Sequence, residues 1–146
     1  MQLFTILLFA TSALAAPSVP RADANTVSAM AAVPEWTIVN FTRTCNKVDT
    51  ECIVSFAVDT HVSPVTVCSY TVTGAPASRT STNGIVCGPY TLSSGWSGQF
   101  GPNNGFTTWS LVDWSKKLIT WPAYSDAELV NGVAVAPNKS YAPQNL

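Results

Sequence analysis

Few residues in this chain are arranged for acid–base or nucleophilic chemistry, which needs groups brought together with tuned proton affinities. Asp59 and His61 stand at i and i+2, the spacing that turns two side chains to one face of a strand end. A serine delivered from elsewhere would complete a triad, but the nucleophile elbow G-x-S-x-G does not occur. The spacing favours a solvated turn residue ahead of Pro64 for His61. A pair of carboxylates could hydrolyse a glycoside, and eight acidic residues are present. Asp23 falls in an N-terminal leader, Asp126 and Glu128 in what reads as a helix cap, and Asp49 and Glu51 in a short loop between cysteines. Asp59 and Asp113 are the pair left to consider, and no motif joins them. No catalytic residue is assigned, and the expectation is a protein that is not an enzyme.

Binding chemistry is better represented. The stretch Ser94-Gly95-Trp96-Ser97-Gly98-Gln99-Phe100-Gly101-Pro102-Asn103-Asn104-Gly105-Phe106 sets aromatics among glycines. It lacks the lysine and the following Ser or Thr of a phosphate-binding loop. A recognition surface formed by Trp96, Phe100, Asn103 and Asn104 is the functional reading, because exposed aromatics stack on sugars or anchor protein partners. The competing reading is a bulged strand pair with both aromatics folded inward. Trp109, Trp114 and Trp121 lie in or beside the last hairpin, where such residues are more often core or cross-strand pairs. Two sequons, Asn40-Phe41-Thr42 and Asn138-Lys139-Ser140, make Asn40 and Asn138 candidate glycan acceptors in an exported chain.

Cysteines are the covalent scaffold. Cys45, Cys52, Cys68 and Cys87 are an even set in a short chain, which argues for disulfides in one of three connectivities. The favoured arrangement is Cys45–Cys52, closing a tight loop between two strand-like segments, and Cys68–Cys87, closing a longer loop rich in Ser, Thr and Gly. No C-x-x-C occurs and His61 is the only histidine, so neither a zinc site nor any other metal or cofactor is expected.

The elements that must position these residues read as strands. Trp36–Thr42 is dense in β-branched and aromatic residues. Cys52, Val54, Phe56 and Val58 alternate with the residues between them, the period of a half-buried strand. Val65–Thr73 repeats the pattern with Cys68, Tyr70 and Val72 on one face. Shorter strands follow at Ile85–Cys87 and Tyr90–Ser93, around the turn at Gly88-Pro89. A hairpin joins Phe106–Trp114 to Lys117–Trp121. Ser125 and Glu128 have capping-box spacing, and Asn131-Gly132 would end a helix of about two turns. The fold class is therefore all-β, a small disulfide-stapled antiparallel barrel or sandwich with one short helix near the C-terminus.

Ahead of this domain, Met1–Ala15 is apolar, carries no charged side chain and ends in Ala13-Leu14-Ala15, the form of a cleavable secretory signal. Residues 16–34 are rich in Ala, Pro and Ser and read as a flexible leader or pro-segment, leaving 35–146 as a single secreted domain. Only 10% of residues are charged and the net charge is −1, with no basic run longer than Lys116-Lys117. Nucleic acid is thus excluded as an electrostatic partner, and no membrane insertion is expected.

Several runs resemble one family. Trp36-Thr37-Ile38-Val39-Asn40-Phe41-Thr42-Arg43-Thr44-Cys45, then Cys52 and Phe56, is similar to the opening of small secreted fungal elicitors of the hypersensitive response, one of them from the rice blast fungus. Cys68-Ser69-Tyr70-Thr71-Val72-Thr73-Gly74 resembles the middle of that family. Ser94–Gly101 and Trp121-Pro122-Ala123-Tyr124 resemble its later part. The resemblance runs from Trp36 to the C-terminus and extends in plan to the secreted fungal β-barrels that include a major mould allergen. It implies an extracellular protein perceived by plant cells through a host protein or cell-surface receptor, triggering cell death and defence. It carries no catalytic residue onto this chain. A carbohydrate-binding or wall-associated protein, with polysaccharide as partner, is the alternative.

Overall fold

The computed structural model describes residues 31–146. The signal segment and most of the leader lie outside the described residues. Ten strands follow in order: β1 (Trp36–Cys45), β2 (Glu51–Asp59), β3 (Thr66–Thr73), β4 (Thr82–Cys87), β5 (Tyr90–Ser97), β6 (Phe106–Asp113), β7 (Leu118–Thr120), β8 (Ala123–Ser125), β9 (Lys139–Tyr141) and β10 (Gln144–Asn145). A 3-10 turn at Ala77–Arg79 links β3 to β4. All pairings are antiparallel and make two sheets. One runs β3-β2-β1-β9; the other runs β10-β7-β6-β5-β4, with β8 on the free half of β6.

Alternation drives the packing. In β2 the residues Cys52, Val54, Phe56 and Val58 are buried while their neighbours face outward. From the second sheet Tyr90, Leu92, Trp109, Leu111 and Tyr124 close on them. Phe41 sits at the centre, its ring centroid 5.2 Å from Phe56, 4.8 Å from Trp109 and 4.3 Å from Tyr124. Aromatic contacts of this kind between facing sheets add to simple area burial. The two sheets enclose one shared core.

β1 changes phase midway. Trp36 and Ile38 are buried, then Phe41 and Arg43, with the ladder register shifting between Val39 and Thr42. The extra residue is Asn40, whose φ of 51° suits asparagine better than most side chains. A bulge of this kind moves every later side chain to the opposite face, which is how Phe41 enters the core.

Both bridges form in the favoured arrangement. Cys45 and Cys52 face each other across the end of the β1–β2 hairpin. Cys68 in β3 reaches Cys87 in β4, so this bridge joins the edge of one sheet to the edge of the other.

The expected helix after Ser125 does not form. Its capping box does: Ser125 N–H donates to Glu128 Oε2 at 2.8 Å, and Glu128 N–H donates to Ser125 Oγ at 3.3 Å. The residues beyond leave the helical path because the chain there serves β1, with Gly132 N–H bonded to Arg43 O and Val135 N–H to Phe41 O. Tertiary pairing outweighs a local signal that accounts for only one turn.

Candidate functional site

Strand β5 ends at Ser97 and β6 begins at Phe106, and the connection between them is folded by its own bonds. Gly101 N–H donates to Gly98 O at 3.1 Å and Asn104 N–H to Gly101 O at 3.2 Å, two turns in succession. The Asn104 side chain donates to the carbonyls of Phe100 and Pro102. Asn104 is thus a staple of the loop. Phe100 is 65% exposed and stacks on Phe106 at 5.7 Å.

Trp96, next to last in β5, stands at the foot of this loop. Its indole N–H donates to Asp126 Oδ2 at 2.8 Å, and the other carboxylate oxygen takes Arg43 Nη2 at 2.9 Å. Arg43 is 8% exposed, so the pair brings a buried cation to a carboxylate at the protein surface. From the 3-10 turn, the Arg79 guanidinium lies over the Trp96 ring, 4.6 Å from its centroid, a cation–π contact. A Cβ at Gly98 or at Gly105 would press into the indole, so both positions need glycine.

Arg79, Trp96 and Asp126, together with Pro102 and Asn103, line an open cleft of about 470 Å³. It presents a cation, an indole and a carboxylate within one depression, a combination suited to a polar ligand or an inserted partner side chain. Of the four residues expected here, Trp96 and Asn103 line the cleft, Phe100 stands exposed on the loop, and Asn104 is used in holding its shape.

Sequence reasoning missed Arg79, Arg43 and Asp126. Asp126 was expected to cap a helix, but Ser125 and Glu128 do that work alone. No local pattern marks an arginine that reaches its partner across 83 positions.

Asp59 and His61 do meet. Asp59 Oδ1 accepts the His61 backbone N–H at 2.8 Å and Oδ2 stands 3.5 Å from His61 Nδ1. His61 Nε2 contacts Thr37 Oγ1 at 2.9 Å, and Thr37 Oγ1 contacts Ser140 Oγ at 2.9 Å. This polar chain crosses the β2–β1–β9 edge, with the imidazole half exposed. Asp113 is buried and folds the β6–β7 turn, accepting from the backbones of Ser115 and Lys116 and from Ser115 Oγ.

The two sequons converge. Asn40 and Asn138 are both exposed, and Asn138 Oδ1 accepts the Asn40 backbone N–H at 2.9 Å. Ligand-type atoms of Cys45, Asp49 and Cys52 cluster, but the two sulfurs are bonded to each other and the Asp49 carboxylate holds Ser78.

Around Tyr124 the chemistry is that of a closed core. Burial pushes its hydroxyl far above the ordinary tyrosine range, and the neighbouring Tyr141 and Glu128 push the same way. Burial alone would raise the Glu128 carboxyl too. The hydrogen bond and charge of Lys139, together with two bonds from Ser125, outweigh it and hold that carboxyl below its usual value.

Comparison with known proteins bears on the whole domain. The family model described as Effector TSP1 matches residues 37–146. A curated relative named Effector TSP1, from Hypocrea virens, is 54% identical over 145 residues, covering 99% of this chain and 95% of the relative.

Proposed function

Since the chain belongs to the Effector TSP1 family and is by that membership a fungal effector, we propose that it is secreted, is perceived by plant cells and induces a hypersensitive response by binding, without catalysis. The observation that carries this reading is the family match across the whole two-sheet domain. Two disulfides support an oxidising, extracellular setting. The contact surface is the β5–β6 loop and its cleft, where exposed Phe100 flanks the Arg79–Trp96–Asp126 cluster. A loop prefolded by its own turns loses little conformational freedom on docking, which favours affinity. Asn40 and Asn138 are the glycan acceptors of the exported form, one occupied in most molecules.

Leaf infiltration tests this. Purified protein with its bridges intact is compared with the same protein reduced and alkylated. Cell death or defence-gene induction from the oxidised form alone is expected. Equal responses from both forms, or none from either, would overturn the reading. Replacing Phe100 and Arg79 by Ala should then reduce the response while leaving the fold intact.

A further inference from the structure

β7 and β8 behave as one strand broken in the middle. β7 pairs with Leu111–Asp113 of β6 and β8 with Phe106–Thr108 of the same strand. Between them Trp121-Pro122 leaves the ladder, although the Pro122 carbonyl still accepts Trp109 N–H at 2.8 Å. Pro122 has no N–H to give the ladder, and the break leaves Trp121 44% exposed.

A shallow groove of about 310 Å³ lies beside this indole, lined by Trp121 with Ser93, Gly95, Thr108 and Ser110. Gly95 opposes Thr108 in the ladder and Ser93 opposes Ser110. Successive strand residues face opposite ways, so Gly95 opens outward while Trp96 serves the cleft on the other side. A Cβ at Gly95 would meet nothing within 4 Å; the floor is bare and packing does not demand the glycine. The Ser93 hydroxyl is engaged by Asn83 at 2.8 Å, but those of Thr108 and Ser110 have no partner among the described residues. No charged side chain lines the groove.

An exposed indole face, two available hydroxyls, a bare floor and no charge match one ligand chemistry. The apolar C–H face of a pyranose stacks on an indole while its equatorial hydroxyls reach polar groups at the rim. Charge neutrality favours an uncharged chain over an acidic one. From this geometry we propose that the outer face of the second sheet is a binding site for a neutral, equatorially linked polysaccharide, with Trp121 as its stacking platform. This site is separate from the Arg79–Trp96 cleft and serves retention on a wall.

The experiment is depletion of the intact, oxidised protein from solution by insoluble chitin, β-1,3-glucan and cellulose, with pectate as the acidic comparison. At least one neutral polymer should remove it and pectate should not. Trp121→Ala should lower the bound fraction about fivefold, as expected for loss of one stacking contact. Gly95→Val raises the floor at a position where an added Cβ meets open space and should lower binding equally, with thermal melting unchanged to show an intact fold. Trp114→Ala removes another exposed indole, at the β6–β7 turn, and should bind as the parent does. Failure of every neutral polymer, parent-like binding by Trp121→Ala and Gly95→Val, or equal loss in Trp114→Ala would overturn the proposal.

Discussion

Trp96 donates its indole N–H to Asp126 at 2.8 Å, and through that carboxylate the end of β5 is tied to Arg43 in β1. Asp126→Ala removes the counter-charge of a buried guanidinium. Breaking a buried pair costs about 3–5 kcal/mol; with Asp126 31% exposed, about 2 kcal/mol is expected here. Asp126→Asn keeps an acceptor for the indole and should lose less. Denaturant unfolding followed by tryptophan fluorescence measures both, and a cost near zero for Asp126→Ala would mean that the ion pair is solvated.

Two glycines of the same hairpin should respond in opposite ways to one methyl group. At Gly105 a Cβ would collide with Trp96 and Asp126, whereas at Gly95 it meets open space. Gly105→Ala should destabilise by about 1–3 kcal/mol, the range for overpacking. Gly95→Ala should be neutral or slightly stabilising, because it reduces the freedom of the unfolded chain. Paired melting curves decide it.

The two bridges should differ in worth. Cys45–Cys52 spans 7 positions and Cys68–Cys87 spans 19. The chain-entropy relation gives about 2.5 kcal/mol for the first and about 3.3 kcal/mol for the second. Replacing each pair by alanines should preserve that order, with the larger loss at Cys68–Cys87. The reverse order would show that the hairpin bridge does more than restrict the unfolded chain.

Acid should weaken the protein through Glu128. Its folded-state carboxyl titrates below the ordinary value, so its contribution is full above the unfolded value and fades as pH falls through the folded one. Glu128→Gln should therefore melt below the parent near neutrality, and the gap should narrow on acidification below about pH 4. At the alkaline end the signs reverse. Burial raises the hydroxyls of Tyr70, Tyr90 and Tyr124, so stability is full below about pH 10 and declines above it. A gap for Glu128→Gln that does not change with pH would contradict the first half.

Glycan occupancy should reflect the meeting of Asn40 and Asn138. The Asn138 side chain is bonded to the Asn40 backbone, so a sugar on one crowds the other. In a secreting eukaryotic host, singly modified molecules should predominate over doubly modified ones by intact mass. Asn138→Gln should raise occupancy at Asn40.

Much of this architecture was written in local pattern. The alternation of Cys52, Val54, Phe56 and Val58 specifies a half-buried strand whatever surrounds it, and the structure buries those four. The cysteine spacing pointed to the pairing that forms. Local pattern failed where distant chain competes. Ser125 and Glu128 close their box, yet Gly132 and Val135 are claimed by β1 and no helix follows. The bulge at Asn40 was illegible because Trp36, Ile38 and Phe41 all look like strand residues, and only the facing sheet decides which of them must point inward. The candidate loop was half legible. Trp96 and Phe100 stood out as aromatics among glycines, but Arg79 and Asp126 reach the cleft from separate elements. The broken strand that exposes Trp121 depends on how β7 and β8 share β6, which no run of residues announces.

The last strands bear on timing. β9 supplies an edge to the first sheet, where Tyr141 pairs with Trp36, and β10 supplies an edge to the second, where Asn145 pairs with Leu118. The first sheet lacks its outer edge until Tyr141 has been added, and the second until Asn145 has. Contacts this distant in sequence close slowly, so β1 and β7 are the strands that wait longest for their outer neighbours. A nascent β1 therefore keeps one edge bare until β9 arrives to cover it.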